Sequence, residues 1–486
     1  MGDARSKKSA SGITTLQNEQ CSDRMKRILL PNLFFEEELQ SIPTTGSPKA
    51  QRLVAELGPV MGLIGKDDIA VNADTIADSS ANNNSNRTIV IVEHNARPEQ
   101  LPRALQHVEF LTLNELADVV LSESRVPSDP AELWHALPWG WSDAAISTLS
   151  QVLGQRTTNE LQVLNCHALE IMAPDIDAVR FINSRQFQSK FDAAIEMDGT
   201  GRIDTFGTLC HSVSEVKNSI EVASRYSPRG WVIKADLSHA SRNRLLGTSA
   251  ELRSEQLAWL RSRFEHNECV YVEPWIERIS ECGLQFFITH SESKERRVHF
   301  IGAAEMLTDD AGHYRGSVVK SSETNYAPHH KIWQPAIDHC GKIADAAAAN
   351  GYFGHIGFDC MMFRCPKRNR PWLRLSHDIN GRLTMGRIAL ALKTLLKPNE
   401  TGVWLHASEN SLQQSRKDSD EIPLHDVRFE QTSPGLIGGK PAKTETAFVV
   451  SGNSEHLKAA CRRILGQTVM MPPLIKTGRE ERFPPR

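Results

Sequence analysis

The chain has 486 residues, 40% of them hydrophobic, and a formal net charge of −3. That length allows about three domains with ordinary cores, and the charge gives no global positive field of the kind nucleic acid attracts. No apolar run approaches the roughly 18 residues needed to cross a bilayer and the polar N-terminus has no signal-peptide segment, so a cytoplasmic protein with no nucleic-acid or membrane partner is expected. The nine cysteines lack zinc-finger spacing and are expected to be reduced thiols.

In chain order, residues 1–26 are polar and aperiodic and are expected to be a disordered lead-in. Ile28 to Phe35 reads as a short buried strand or loop, Asn82 to Asn86 as a surface insert, Thr88 to Val92 as a buried parallel strand and Leu113 to Leu121 as an amphipathic helix. Residues 27–180 are therefore expected to be α/β. Pro138-Trp-Gly-Trp-Ser142 predicts a helix capped by Ser142, with both Trp rings partly exposed on the turn before it. Asn183 to Lys190 predicts a helix start, and Ser214 caps another. The strand Trp231 to Ala235 ends in a polar, basic loop, Asp236 to Arg244, and a helix covers Ser249 to Phe264. Val270 to Pro274 is a strand stopped by its proline; Leu284 to Ile288 and Val298 to Ile301 form an antiparallel hairpin; residues 309–312 turn. Ile332 to Asn350 is a helix closed by Gly351. A further helix runs from Met385 to about Leu396, Thr446 to Ser451 is a strand, Leu457 to Leu465 a helix, and the last sixteen or so residues a tail.

Residues 351–386 carry the most chemistry, reading as strand, turn, strand, loop. Side chains two apart on a strand share a face, so Asp378 and Asn380 point one way while Leu373, Leu375 and Ile379 point into the opposite layer. Asp359 lies in an apolar run, Ile356 to Phe363, where a carboxylate without a counter-charge is costly to bury. Two acids and an amide form a hard-oxygen donor set suited to Mg2+, with Mn2+ as the alternative ion. For Asp378 alone, an acid capping a hairpin explains the pattern equally well.

A Lys ending a strand before a polar loop (Lys234), an acid-Pro turn (Glu273-Pro-Trp-Ile276), a second acid (Glu281), then Asp359 and Asp378-Ile-Asn380 follow one another in an order that resembles the ATP-grasp superfamily. The matching stretch is roughly 181–386, under half the chain. The resemblance implies an α/β fold of ATP-grasp architecture: an N-terminal α/β pre-ATP-grasp domain (27–180), a small lid subdomain (181–272) and a larger mixed or antiparallel sheet subdomain (273–400), followed by a strand-helix region (401–470) and a tail (471–486).

It implies site roles too. Lys234 would contact the α- and β-phosphates of ATP, joined by Arg185 or, as the alternative, Lys190. Glu273 and nearby backbone groups would bind the adenine edge, with Trp275 in the same hinge as the side chain packed on the ring, and Glu281 would bind the ribose. Asp359, Asp378 and Asn380 would hold Mg2+, and Arg382, or more weakly Arg315, would steady the transferring group or a substrate carboxylate. Trp139, Trp141 and Leu436 to Pro441 would help to enclose the substrate. The implied activity is ATP-dependent ligation of a small-molecule carboxylate to an amine through an acylphosphate, by a chain compatible with homo-oligomers. Two rivals are an ATP-binding regulatory or scaffold protein of the same fold and a small-molecule kinase. Two departures stand out: Asp378 occupies a position where many members carry Glu, and the loop Ser238 to Leu245 lacks the glycines that let backbone N–H groups approach phosphates, offering His239, Arg242 and Arg244 instead.

Overall fold

The computed structural model describes residues 26–40, 47–64, 87–124, 134–154, 169–170, 172–197, 200–204, 206–238, 243–290, 297–309, 311–321, 327–365, 370–408 and 426–465. Residues 1–25 of the expected N-terminal lead-in, the Asn82 to Asn86 insert, residues 239–242 of the polar loop and the C-terminal tail lie outside them, while Lys26, expected to end the lead-in, begins a strand.

The N-terminal part is a five-stranded parallel sheet in the order Val108–Leu111, Thr88–Ile91, Lys26–Leu30, Trp134–Pro138, Leu169–Glu170. Its central strands are continuous apolar runs because both faces are covered, leaving Ile28, Leu29, Ile89 and Val90 fully buried. Ser142 caps the helix Asp143–Gly154 as expected, its Oγ accepting the Ala145 N–H at 3.0 Å and donating to the Glu38 carboxylate. The two Trp rings differ from expectation. Trp139 is 5% and Trp141 8% exposed, because the loop after the second strand of the 351–386 segment folds over the turn: the Leu383 N–H donates to the Trp139 carbonyl at 2.9 Å and Arg382 lies over the Trp139 ring.

Two helix starts also shift. Asn183 ends the helix Ile176–Asn183, and Ser184 caps the short helix Arg185–Ser189 by accepting the Phe187 N–H. Ser212 rather than Ser214 caps Val213–Tyr226, since Glu215 stands three residues after it; the Ser212 Oγ accepts the Glu215 N–H while the Glu215 carboxylate accepts the His211 N–H.

A second, four-stranded antiparallel sheet, labelled the lid sheet only because it falls largely in the stretch where the resemblance implies a lid, has the order Arg244–Gly247, Trp231–Ala235, Val270–Pro274, Thr208–Cys210. The helices Val213–Tyr226 and Ser254–Glu265 cover it, and the cluster of Val216, Ile220, Trp231, Ile233, Leu260 and Val272 is its core. Arg244, expected to end the polar loop, instead begins the edge strand Arg244–Gly247, and the helix expected from about Ser249 begins at Ser254.

The third sheet has ten strands, in the order Arg428–Gln431, Thr444–Ser451, Thr401–Ser408, Tyr314–Lys320, Val298–Thr308, Arg278–Ile288, Gly354–Cys365, Arg370–Asn380, Ala194–Glu196, Arg202–Ile203. The expected hairpin is present, with both strands longer than the apolar runs that mark them. Thr401–Ser408 is a strand not expected from the sequence, and through it Thr444–Ser451 and then Arg428–Gln431 join this sheet. The helix Ala327–Ala349 packs across the central strands and is followed, after Asn350, by Gly351, whose φ of +85° suits the left-handed position after a helix. Gly438 and Gly439, both at positive φ, turn Leu436–Ile437 back on Lys440–Pro441, and this hairpin pairs with Pro98–Glu99 of the N-terminal part. Among the described residues no helix is long and apolar enough to cross a membrane.

Candidate active site between the lid and the large sheet

A chain of alternating charges crosses from the lid sheet to the large sheet. On the lid, Lys234 Nζ lies 3.0 Å from Glu273 Oε1, a pairing between neighbouring strands. On the large sheet, Arg374 donates to Glu273 Oε2 at 2.7 Å and to Asp192 Oδ1 at 2.9 Å. Lys234 Nζ also stands 3.5 Å from Asp378 Oδ2, and Arg185 closes the chain by donating to Asp378 Oδ1. Asp192 in turn accepts from the Tyr271 hydroxyl and the Gly207 N–H. Three acids thus alternate with three cations, and each buried charge has an opposite neighbour.

Position in the two strands accounts for the acids. Asp359 and Asp378 are register partners on Gly354–Cys365 and Arg370–Asn380, followed by Phe358 with Ile379 and Gly357 with Asn380. Leu373, Leu375 and Ile379 enter the main core on the opposite face, as the alternation requires. Burial pushes the Asp359 carboxyl up to about 7, and the Asp378 and Glu281 carboxylates push it the same way against the hydrogen bond from Asn380. Burial also acts to raise Asp378, but Arg185 and then Lys234 outweigh it and hold that carboxyl far below the ordinary range. Glu273 follows the same pattern: Arg374 and Lys234 overcome burial and bring it down to about 2. His377 is lowered to about 3 by burial and by Lys234, so it is neutral.

The structure brings Arg185, Lys234, Glu273 and Asp378 into direct contact. Asn380 lies two residues beyond Asp378 on the same strand, with its Nδ2 3.4 Å from Asp359 Oδ2. Glu281 sits at the edge of the group, accepting from Thr308 at 2.6 Å and Arg278 at 3.1 Å, with His377 Nε2 3.8 Å away. Arg382 donates to Asn380 Oδ1 at 3.0 Å, to the Leu383 carbonyl at 2.8 Å and to Glu36. Trp275 has guanidinium groups of Arg244 and Arg278 over its ring, at 5.4 and 5.5 Å. Two candidates stand apart. Lys190 stacks over Phe181, covering a helix face, and the half-exposed Arg315 pairs with Asp309 at 2.9 Å. Among the described residues no group of three or more His, Cys, Asp or Glu is arranged to hold a metal ion.

Arg374, Asp192 and Glu36 were not singled out in the sequence. For Arg374 a signal exists: Arg374, Ser376, Asp378 and Asn380 recur at period two and so share one face, which makes Arg374 a polar member of the same row. Asp192 and Glu36 have no such signal, since their partners lie 182 and 346 residues away.

No protein-family model and no curated protein matches the sequence. Solved structures similar to this chain include the Staphylococcus aureus N5-carboxyaminoimidazole synthetase complexed with ADP, at TM-score 0.48 and 9% identity, covering 90% of this chain and 97% of that one. The Aspergillus clavatus N5-carboxyaminoimidazole synthase in complex with ADP and 5-aminoimidazole ribonucleotide aligns at TM-score 0.45 and 12% identity, covering 91% and 99%. The biotin carboxylase domain of Hydrogenobacter thermophilus 2-oxoglutarate carboxylase aligns at 0.44 and 11%, covering 88% and 86%. These likenesses are distant, and the chain's own architecture decides the fold. It comprises a parallel N-terminal sheet, a four-stranded lid sheet and a large antiparallel sheet, with Lys234 on the lid sheet meeting Asp378 on the large sheet, a mixed α/β architecture as the sequence leads one to expect.

Proposed function

We propose that the protein is an ATP-dependent ligase that joins a small-molecule carboxylate to an amine through an acylphosphate, with ATP held between the lid and the large sheet. The observation that carries this reading is the approach of Lys234 to Asp378 at 3.5 Å beside Arg185. It puts two fixed cations, suited to a phosphate chain, next to the donor set Asp359, Asp378 and Asn380. A cytoplasmic location and small-molecule partners go with this reading.

The donor set fits a divalent cation. Asp359 is crowded by two other carboxylates, which marks a place short of positive charge, and the Asn380 amide adjoins it. Mg2+, when bound, would neutralise charge on the phosphoryl oxygens. Lys234 and Arg185 would bind and orient the phosphates, with Glu273 and Arg374 keeping Lys234 in place. The Glu273 carboxylate is held between two cations, so hydrogen bonds to an adenine edge would fall to backbone groups near the hinge. Arg382, tied to Glu36 and Asn380, would steady the amide ligand more than reach the substrate. In the first step a substrate carboxylate oxygen bonds to the γ-phosphorus as the bridging P–O bond breaks, releasing ADP. An amine then attacks the acyl carbon, the acyl C–O bond to phosphate breaks, and the nitrogen gives up one proton, which leaves with the phosphate. No protein nucleophile is needed; positioning and electrostatics would carry the rate.

One observation favours a second reading, a nucleotide-binding protein of this fold without turnover: Asp378 is already neutralised by Arg185 and Lys234. ADP release measured across a panel with acid alone, amine alone and both together separates the possibilities. The ligase reading predicts ADP and amide only when a matched acid and amine are both present, or ADP and acylphosphate with the acid alone. Magnesium-dependent ATP binding with no ADP from any combination would support the second reading, and stable phosphorylation of a single acceptor with no amide would indicate a kinase.

A further inference from the structure

Asp378 meets two demands that conflict. As a member of the donor set it needs its negative charge directed to a divalent cation. In the structure that charge is taken by Arg185 and Lys234, one at each carboxylate oxygen. Of these three residues only Asp378 is substantially exposed, with 23% of its side chain accessible against 4% for Arg185 and 8% for Lys234. The two cations are also fixed independently of Asp378. Arg185 donates to the Ser238 carbonyl at 2.8 Å and to its Oγ at 3.1 Å, and Lys234 is paired with Glu273, itself anchored by Arg374. The strand changes register against its neighbour between Asp378 and Arg374, so the backbone beside Asp378 departs from the regular ladder.

We infer that Asp378 is a built-in competitor for the phosphate site. In the free protein its carboxylate stands in for a phosphate oxygen at Arg185 and Lys234. A polyphosphate ligand takes those cations over, and only then does the carboxylate become available to a divalent ion together with Asp359 and Asn380. The inference rests on the nucleotide reading above and deepens it. Binding of the two ligands is then coupled: each favours the protein state in which Asp378 has left the cations, and linkage makes the coupling reciprocal. The cations stay and the acid moves, because the acid has the fewer ties and the more open surroundings.

Calorimetric titration of the full chain with ATP, in EDTA and in Mg2+, tests this with wild type, Asp378→Asn, Asp378→Ser and Asp378→Glu. Removing the competing charge is expected to tighten ATP binding in EDTA by about tenfold, the scale of a close charge pair. It should also abolish the further gain that Mg2+ gives wild type. Asp378→Glu keeps the charge and is expected to bind in EDTA as weakly as wild type. Inorganic tripolyphosphate in EDTA should show the same order of affinities. If the folded neutral variants bind ATP in EDTA no better than wild type, the competition is overturned while nucleotide binding stands. If wild type binds ATP in neither condition, the nucleotide reading falls and the inference with it. Failure of both neutral variants to fold would also overturn it, since Ser238 and Glu273 are required to hold the cations without Asp378.

Discussion

Asp359 and Asp378 face each other as register partners on adjacent strands, yet their surroundings drive their proton affinities in opposite directions. One carboxyl is raised to about 7 by burial and by neighbouring acids; the other is held ionised by Arg185 and Lys234. Two identical groups at one site are thereby given different charge states near neutral pH.

That difference has a consequence for stability in the absence of metal. Asp359 is raised in the folded protein from 3.8 to about 7, so between those values the folded chain holds a proton that the unfolded chain has released. Its contribution is therefore favourable at low pH and is lost as pH rises from about 4 to 7. Asp359→Asn removes this dependence. Thermal melts in chelator are expected to show the variant gaining on wild type across that window, with the difference levelling off above pH 7. A gap independent of pH would contradict the assignment.

Arg374 is 1% exposed and holds two acids, Asp192 and Glu273. Arg374→Met leaves both carboxylates buried without their principal cation, and truncating one side of such a pair costs about 3–5 kcal/mol. Urea denaturation should show a loss of that size. Arg374→Lys should recover only part of it, because an ammonium cannot reproduce the two-sided geometry of the guanidinium.

Ser142 caps a helix and also donates to the Glu38 carboxylate, whose pKa burial raises. Ser142→Ala is expected to destabilise the protein by about 1–2 kcal/mol, the range for loss of an N-cap together with a hydrogen bond to a part-buried acid. Chemical denaturation gives the value, and a change under 0.3 kcal/mol, roughly the effect of a neutral surface substitution, would show that the cap contributes nothing.

Lys234→Met keeps the bulk of the side chain and leaves Glu273 paired with Arg374, so a folded protein is expected. Its affinity for ATP with Mg2+ should fall by about tenfold or more, since a buried charge contact to phosphate is lost. Fluorescence or calorimetric titration checks this, and wild-type affinity in the variant would remove Lys234 from the phosphate site.

Much of this architecture is legible in the sequence because local pattern and burial agree. The apolar run at Thr88–Ile91 gives a parallel strand, and the helix spacing before Gly351 places the end of Ala327–Ala349. The two-residue period of Asp378 and Asn380 fixes which face carries the donors. Legibility fails where partners are remote. Trp139 and Trp141 look like exposed turn residues until residues 382–383 fold over them, and Glu36 meets Arg382 only through the docking of the N-terminal part. Thr401–Ser408 is not legible as a strand because its neighbours in the sheet are supplied by segments far away in sequence. The pairing of Asp378 with Arg185 and Lys234 is likewise a product of three segments meeting, and no one of them shows it alone.

The most direct test is a crystal structure of the protein with a non-hydrolysable ATP analogue and Mg2+. The account predicts the phosphate chain within hydrogen-bonding distance of Lys234 and Arg185, and the ion at Asp359, Asp378 and Asn380. An analogue bound elsewhere, with the contact between Lys234 and Asp378 still closed, would contradict it.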